Sequence, residues 1–425
     1  MQDWSVTDIR CPQTHQLLNL KDSELYAQNT SYPLFHEVPW LFQSPEASFL
    51  SWATRIESYL TEEENTLKYL QVLANTHQKS LTRKRVSALL EAKQKNLHFM
   101  DKLLNDFRGH QHIPISATKQ QIHSYFQLVF RDWCWESQEI QLYQNFIENN
   151  IDADTHKILI LGSGAGRISY NLANKYSDKK IYGLDHNPFL TLTAKKIFDG
   201  HEVKLSDYTP YPKSLSQTSQ KYTIKYPKTK YDNHQFILGS FPHLPFAPNS
   251  FDMIIAPWFF DIIDMPLDYS LNECKKFLTE KGKLISIGPS NFHHNYLEKQ
   301  LSPQEITEEF EKNFENTKFY SQDVNYLNNP LTSQNRIEQV LLICSQSKTQ
   351  ENNISNKNQD KKIIFDPKFE NFKAVNETYY HILKHINEDT DLIELAVIIQ
   401  KEFQFSQEES LIYAKSFLDK IEQEL

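Results

Sequence analysis

The stretch His156–Phe189, HKILILGSGAGRISYNLANKYSDKKIYGLDHNPF, decides the fold. Residues 157–161 form a short apolar β run, and Gly162-Ser163-Gly164-Ala165-Gly166 follows at once. From Arg167 to Lys175 the spacing turns helical, with Ile168, Leu172 and Ala173 on one face. Glycines set this closely let the backbone turn tightly and approach a ligand, and the helix that follows aims its first N–H groups the same way. A second apolar run, residues 180–184, ends in Asp185, nineteen positions after Gly166. A doubly wound α/β fold places at that point the acid that accepts from ribose hydroxyls. Strand, glycine loop, helix, strand and acid together predict nucleotide-like cofactor binding. A plain β-to-α turn would leave Asp185 unexplained.

Composition narrows the class further. The 425 residues allow two or three domains, and 39% hydrophobic and 13% aromatic content supplies a core. The chain has only nine glycines, so the cluster at 162–166 is one it uses. Net charge is −9 with the two signs mixed, and no basic stripe points to nucleic acid. No stretch approaches the ~20 apolar residues that cross a bilayer, and MQDWSVTDIRCP lacks the apolar run of a secretion signal. The four cysteines, Cys11, Cys134, Cys274 and Cys344, are far apart and suit buried thiols in a cytoplasmic protein.

Outward from the glycine loop, the pattern changes several times. Residues 1–45 alternate short apolar runs with turn residues and read as a small β-rich unit. Residues 46–150 are helical: Leu50, Ala53, Ile56 and Leu60 recur at helical spacing, and Ile113-Pro114 interrupts the run. Residues 345–362, SQSKTQENNISNKNQDKK, hold a single aliphatic side chain and read as a linker. Periodicity returns over 363–425, a small helical domain. The expected architecture is α/β, with a Rossmann-like doubly wound sheet over 151–344 carrying these additions.

Which cofactor follows from the text beyond Asp185. PHLPFAPNSFDMIIAPWFFDII and KKFLTEKGKLISIGP resemble class I methyltransferases of the type 11 kind. That resemblance implies S-adenosylmethionine. The residues expected around it are Gly162, Ser163, Gly164, Gly166, Arg167, Asp185, His186, Ser240, Phe241 and Pro257. Ser240 stands where the family carries an acid for the adenine amine, which implies weaker cofactor affinity.

Three further stretches, in order, resemble the carnosine N-methyltransferase family. They are Phe130-Arg131-Asp132-Trp133 with Glu139 and Tyr143, then Phe259-Phe260-Asp261, then residues 287–293, IGPSNFH. The insert at 208–233 also matches a long insert of that family. Near the last strand the family's aromatic cluster is replaced by Asn335, Arg336 and Ile337, leaving Tyr326 as its remnant. The resemblance implies methylation of a histidine-like nitrogen, with Asp261, His293 and Tyr326 holding the acceptor. On the residues alone Asp261 reads equally as a helix N-cap, and His293 as a packed or surface loop histidine with His294 as its rival.

Both ends carry fainter resemblances. Cys11-Pro12-Gln13-Thr14, Tyr32-Pro33 and Val38-Pro39-Trp40 resemble the small zinc-ribbon methyltransferase activators, without their second cysteine. One thiol cannot make a four-ligand zinc site, so no metal is expected; His15 and His36 are the alternative ligands. Residues 375–425 resemble PqqD-like peptide-binding modules, against a plain stabilising helical domain. The partner expected is a small molecule or, through that module, a peptide. A cofactor-binding regulator without catalysis is the remaining reading, favoured only by Ser240. Oligomeric state is not legible.

Overall fold

The computed structural model describes residues 8–21, 24–27, 30–110, 121–229, 231–263, 265–290, 300–348, 392–403, 410, 411 and 414. The chain divides into two compact units, residues 1–350 and 351–425.

The first unit is built on an eleven-stranded sheet in the order β1-β2-β3-β4-β9-β6-β5-β10-β11-β13-β12. Its middle follows the expected doubly wound plan. Strand β5 (Lys157–Leu161) pairs in parallel with β6 (Lys180–Asp185) on one side and β10 (Phe251–Pro257) on the other. Beyond them lie β9 (His234–Gly239), parallel to β6, and β11 (Leu278–Pro289), parallel to β10. The chain therefore reverses direction across the sheet between β5 and β10, and the crevice at that switch point is where such sheets bind ligands. Strand β13 (Arg336–Ser347) runs antiparallel between β11 and β12 (Phe314–Tyr326).

The apolar run of β5 explains its central place. Ile158 and Ile160 face one core cluster with Leu172 of α5 (Arg167–Lys175) and Tyr143 and Ile147 of α4 (Gln138–Glu148). Leu159 and Leu161 face another, with Leu271 of α7 (Leu267–Phe277) and Phe310 of α8 (Pro303–Asn313). A strand covered on both faces needs apolar side chains at every position.

The β-rich N-terminal stretch is joined to this sheet. Strands β1 (Asn19–Lys21), β2 (Glu24–Ala27), β3 (Thr30–Phe35) and β4 (Val38–Leu41) form an antiparallel meander, and β4 then pairs in parallel with β9. Gly239 has its own reason in that pairing: a Cβ there would stand 2.9 Å from the Leu41 carbonyl oxygen. Asp8 adds a polar tie, accepting from Lys157 (2.5 Å), Lys180 (3.0 Å) and the Tyr182 hydroxyl (2.8 Å). Burial opposes its charge, but these bonds together bring its carboxyl down to about 2. Cys11 is buried with its Sγ 3.1 Å from the Tyr32 hydroxyl, while His15 and His36 are exposed at left-handed turn positions. Among the described residues no group of three or more His, Cys, Asp or Glu is gathered as metal ligands.

The helical cap consists of α1 (Pro45–Thr76), α2 (Ser80–Leu103), α3 (Gln121–Trp133) and α4. The chain from Val203 forms a separate two-stranded antiparallel sheet of β7 (Val203–Tyr208) and β8 (Ser219–Ile224), so the expected insert at 208–233 supplies its second strand. Strand β13 continues through Ser347, so the first residues of the expected linker belong to the sheet; those from 349 lie outside the described residues. In the second unit a helix spans Leu392–Phe403, with Leu395, Ile399 and Ala414 buried. No described helix is long and apolar enough to cross a membrane.

Candidate active site

The glycine loop divides its work between packing and opening. All three glycines have positive φ, at 64°, 56° and 86° for Gly162, Gly164 and Gly166. A Cβ on Gly166 would meet Ala194 at 2.9 Å, so this glycine lets α5 approach α6 (Pro188–Phe198). A Cβ on Gly162 would meet the Phe259 ring at 3.1 Å, across the switch point. At Gly164 the nearest atom would be 3.9 Å away, so this peptide alone faces open space.

Asp185 closes the other side of that space. One carboxylate oxygen accepts from the Gly164 amide (2.7 Å) and the other from the Asn187 amide (2.9 Å). The acid is thereby fixed in direction, and its remaining lone pairs are available to a diol. Asn187 in turn caps α6, its side chain accepting from Leu190 N–H, with Pro188 in the first turn. The loop's Ser163 hydroxyl is buried without a hydrogen-bond partner among the described residues. An open cradle above Gly164, an oriented acid and an unpaired hydroxyl fit the nucleoside and amino-acid ends of S-adenosylmethionine.

The other expected cofactor residues fall around this centre. His186 follows Asp185 with its side chain 53% exposed. Pro257 ends β10, its carbonyl 3.9 Å from a Cβ at Gly162. Ser240 is half-buried directly after β9, and Phe241 meets Phe259 edge-on at 5.4 Å. Arg167 sits between the rings of Trp133 (5.0 Å) and Tyr226 (4.8 Å).

The residues expected to hold an acceptor begin where β10 ends. Trp258 takes a left-handed φ of 51°, and its ring stacks on Tyr326 with centroids 4.0 Å apart. Its indole N–H donates to the Tyr143 hydroxyl at 3.0 Å. Behind it, Arg131 pairs with Asp132 (2.8 Å) and Glu139 (3.2 Å), and Glu139 also accepts from the Leu327 amide (3.1 Å). Burial pushes the Glu139 carboxyl up, opposed by Arg131. Buried charges persist only when paired in this way. The Arg131–Trp133, Glu139 and Tyr143 pattern thus anchors the cap to the strand end that carries Tyr326.

Asp261 is 5% exposed and lies against the end of β11, its Oδ1 3.5 Å from a Cβ placed on Gly288. Burial pushes its carboxyl up to about 7, and Glu338 adds to the shift. Among the described residues it accepts only from its own backbone. The Tyr326 hydroxyl is near enough to feel the charges of Arg131, Glu139 and Asp261, and burial pushes its pKa up to about 12, so it remains a donor at neutral pH. His293 and its neighbours 291–299 lie outside the described residues. Asp261 follows the carboxyl end of β10 and Tyr326 ends β12, so the two lie toward the same end of the sheet. Sequence reasoning missed the Trp258–Tyr326 stack; the nearest signal was the helix motif around Arg131.

A glycine loop and an oriented acid at the switch point of a doubly wound sheet form a nucleoside-cofactor site, here that of an S-adenosylmethionine-dependent methyltransferase of the class I kind. More particularly, the carnosine N-methyltransferase family model matches residues 109–349, more than half of the chain, and the chain belongs to that family. No curated protein matches it in sequence. Solved structures similar to it include the YcgJ protein of Bacillus subtilis (14% identity, 50% of this chain and 100% of that one, TM-score 0.34). A SAM-dependent methyltransferase of Aquifex aeolicus is another (14%, 53% and 97%, TM-score 0.33). A third is phosphoethanolamine N-methyltransferase 2 of Haemonchus contortus with S-adenosyl-L-methionine (11%, 55% and 58%, TM-score 0.36).

Proposed function

We propose that this enzyme N-methylates a small compound bearing a histidine-like imidazole, with Asp261 holding the ring. The observation that carries this reading is a buried carboxylate at the carboxyl end of β10 with no side-chain partner among the described residues.

The bound cofactor supplies a methyl group on a sulfonium, open to in-line attack by a neutral lone pair. An imidazole has one bare nitrogen and one N–H, so fixing the N–H fixes the attacking nitrogen. Ionised Asp261 would accept that N–H and stabilise the positive charge the ring gains as the new N–C bond forms and the S–CH3 bond breaks, the sulfur leaving as a neutral thioether. The N–H proton then passes to the carboxylate, leaving the methylated ring neutral. The Trp258–Tyr326 stack gives the pocket a flat aromatic wall, and the Tyr326 hydroxyl offers a donor to a polar group of the acceptor. Gly164 and Asp185 would hold the cofactor at the switch point. Orientation of two reactants in this way supplies most of the acceleration that such a displacement needs. His293 belongs to the same proposal as a second polar contact, on the strength of the family motif alone.

The test is transfer of labelled methyl from S-adenosylmethionine to a panel of imidazole dipeptides, free histidine, histidine-containing peptides and simple amines. Turnover confined to the imidazole compounds supports the reading. Turnover on amines with none on imidazoles overturns it.

A further inference from the structure

The helix α1 lies before residue 109, outside the segment that matches the family, yet its Trp52 meets His186, the residue that follows Asp185. Trp52 is buried, and its ring meets His186 with centroids 5.7 Å apart and planes at 45°. One turn on, the Arg55 guanidinium lies over the other ring partner, 5.4 Å from the Trp52 centroid. Arg55 makes no ion pair among the described residues, and its charge is felt by the Tyr125 hydroxyl. The Tyr125 hydroxyl also feels Asp185, and the Trp52–His186 contact sets this face of the cap beside the carboxyl end of β6.

We propose that Arg55, Trp52 and His186 form a layered wall that positions His186 against the purine of the cofactor. Arg55 and Trp52 are positioning residues that act through His186. Three features support the assignment. His186 directly follows the acid fixed by Gly164, so its exposed surface borders the crevice. Its other contact is the rigidly buried Trp52. A cation over an indole without a carboxylate partner contributes attraction that neutralisation does not cancel. The wall would make cofactor affinity depend on a helix that the methyltransferase core does not contain. This inference rests on Asp185 and His186 as cofactor contacts.

The experiment is calorimetry of the full-length protein with S-adenosylhomocysteine, followed by adenosine alone. Arg55→Ala should weaken both ligands by roughly three- to tenfold, the range of a partly shielded cation–π contact. Arg55→Lys should restore most of the loss. Combined with His186→Ala, the losses should be less than multiplicative, because both changes dismantle one stack. Unchanged affinity in Arg55→Ala, with affinity lost in Asp185→Ala, would overturn the wall and leave the cofactor site standing. Affinity unchanged in both variants would overturn the cofactor placement itself. Multiplicative losses in the double variant, or a loss confined to melting temperature, would also contradict the proposal.

Discussion

The cofactor crevice and the proposed acceptor side lie at one end of the sheet and are built on different principles. The centre of the crevice is local: positive-φ glycines, the Gly164 amide on Asp185 and a capped helix start, all within residues 162–190. The proposed acceptor side draws on side chains far apart in the chain: Arg131 paired with Glu139, Tyr143 bonded to Trp258, Trp258 stacked on Tyr326, and Asp261. Cofactor binding asks for one fixed geometry that short-range sequence can encode. Acceptor binding asks for a shaped, partly charged cavity, which only packing between distant elements supplies. Each side carries a cation over an aromatic stack, Arg55 on Trp52 and Arg336 on Tyr326 at 5.0 Å. The second is neutralised by Glu338 and the first is unpaired among the described residues.

The division can be broken from either side. Asp261→Asn keeps the shape and removes the charge, so turnover should fall on the order of 10²-fold while calorimetric affinity for S-adenosylmethionine stays put. Equal losses in both would mean that the two regions are not separable. Asp185→Ala should do the reverse. Loss of charge-assisted bonds to ribose hydroxyls should cost about 1.5–3 kcal/mol, roughly tenfold or more in cofactor affinity, with the acceptor's KM little changed at saturating cofactor. Affinity equal to wild type in that variant would show that the acid serves only to brace Gly164. The smallest effect is expected for Tyr326→Phe, which retains the stack on Trp258 and loses one hydroxyl. A single hydrogen bond is worth about 0.5–1.5 kcal/mol, so acceptor kcat/KM should drop by roughly two- to tenfold. A loss above 10²-fold would give Tyr326 a larger part than orientation.

The same contrast explains what the sequence made legible. The strand–loop–helix text at 157–175 is read correctly because an unbroken apolar run, clustered glycines and helical spacing each act within a few residues. Gly239 shows the limit. Its close approach to the Leu41 carbonyl depends on a strand almost two hundred positions earlier. The joining of residues 1–45 to the sheet was invisible for the same reason: β4 reads as a short strand whether or not it has a parallel partner. Arg131 and Glu139 were visible as a motif, and their role as a buried pair tied to Leu327 was not. Trp258 is stacked on Tyr326 and bonded to Tyr143, partners 68 and 115 positions away that no local pattern marks.

The pH dependence of acceptor kcat/KM tests the central claim most directly, because Asp261 is ionised only above about 7. Below that value the protonated acid no longer accepts the acceptor's N–H as a carboxylate, so activity should rise with pH through a limb near 7. The acceptor's own titration is common to wild type and Asp261→Asn, so the ratio of their profiles isolates the enzyme's carboxyl. The account predicts a ratio of wild type to variant that climbs about tenfold per pH unit below 7 and levels off above it, with cofactor affinity flat across the range. A ratio constant from pH 5 to 9 would contradict the placement of Asp261 at the acceptor.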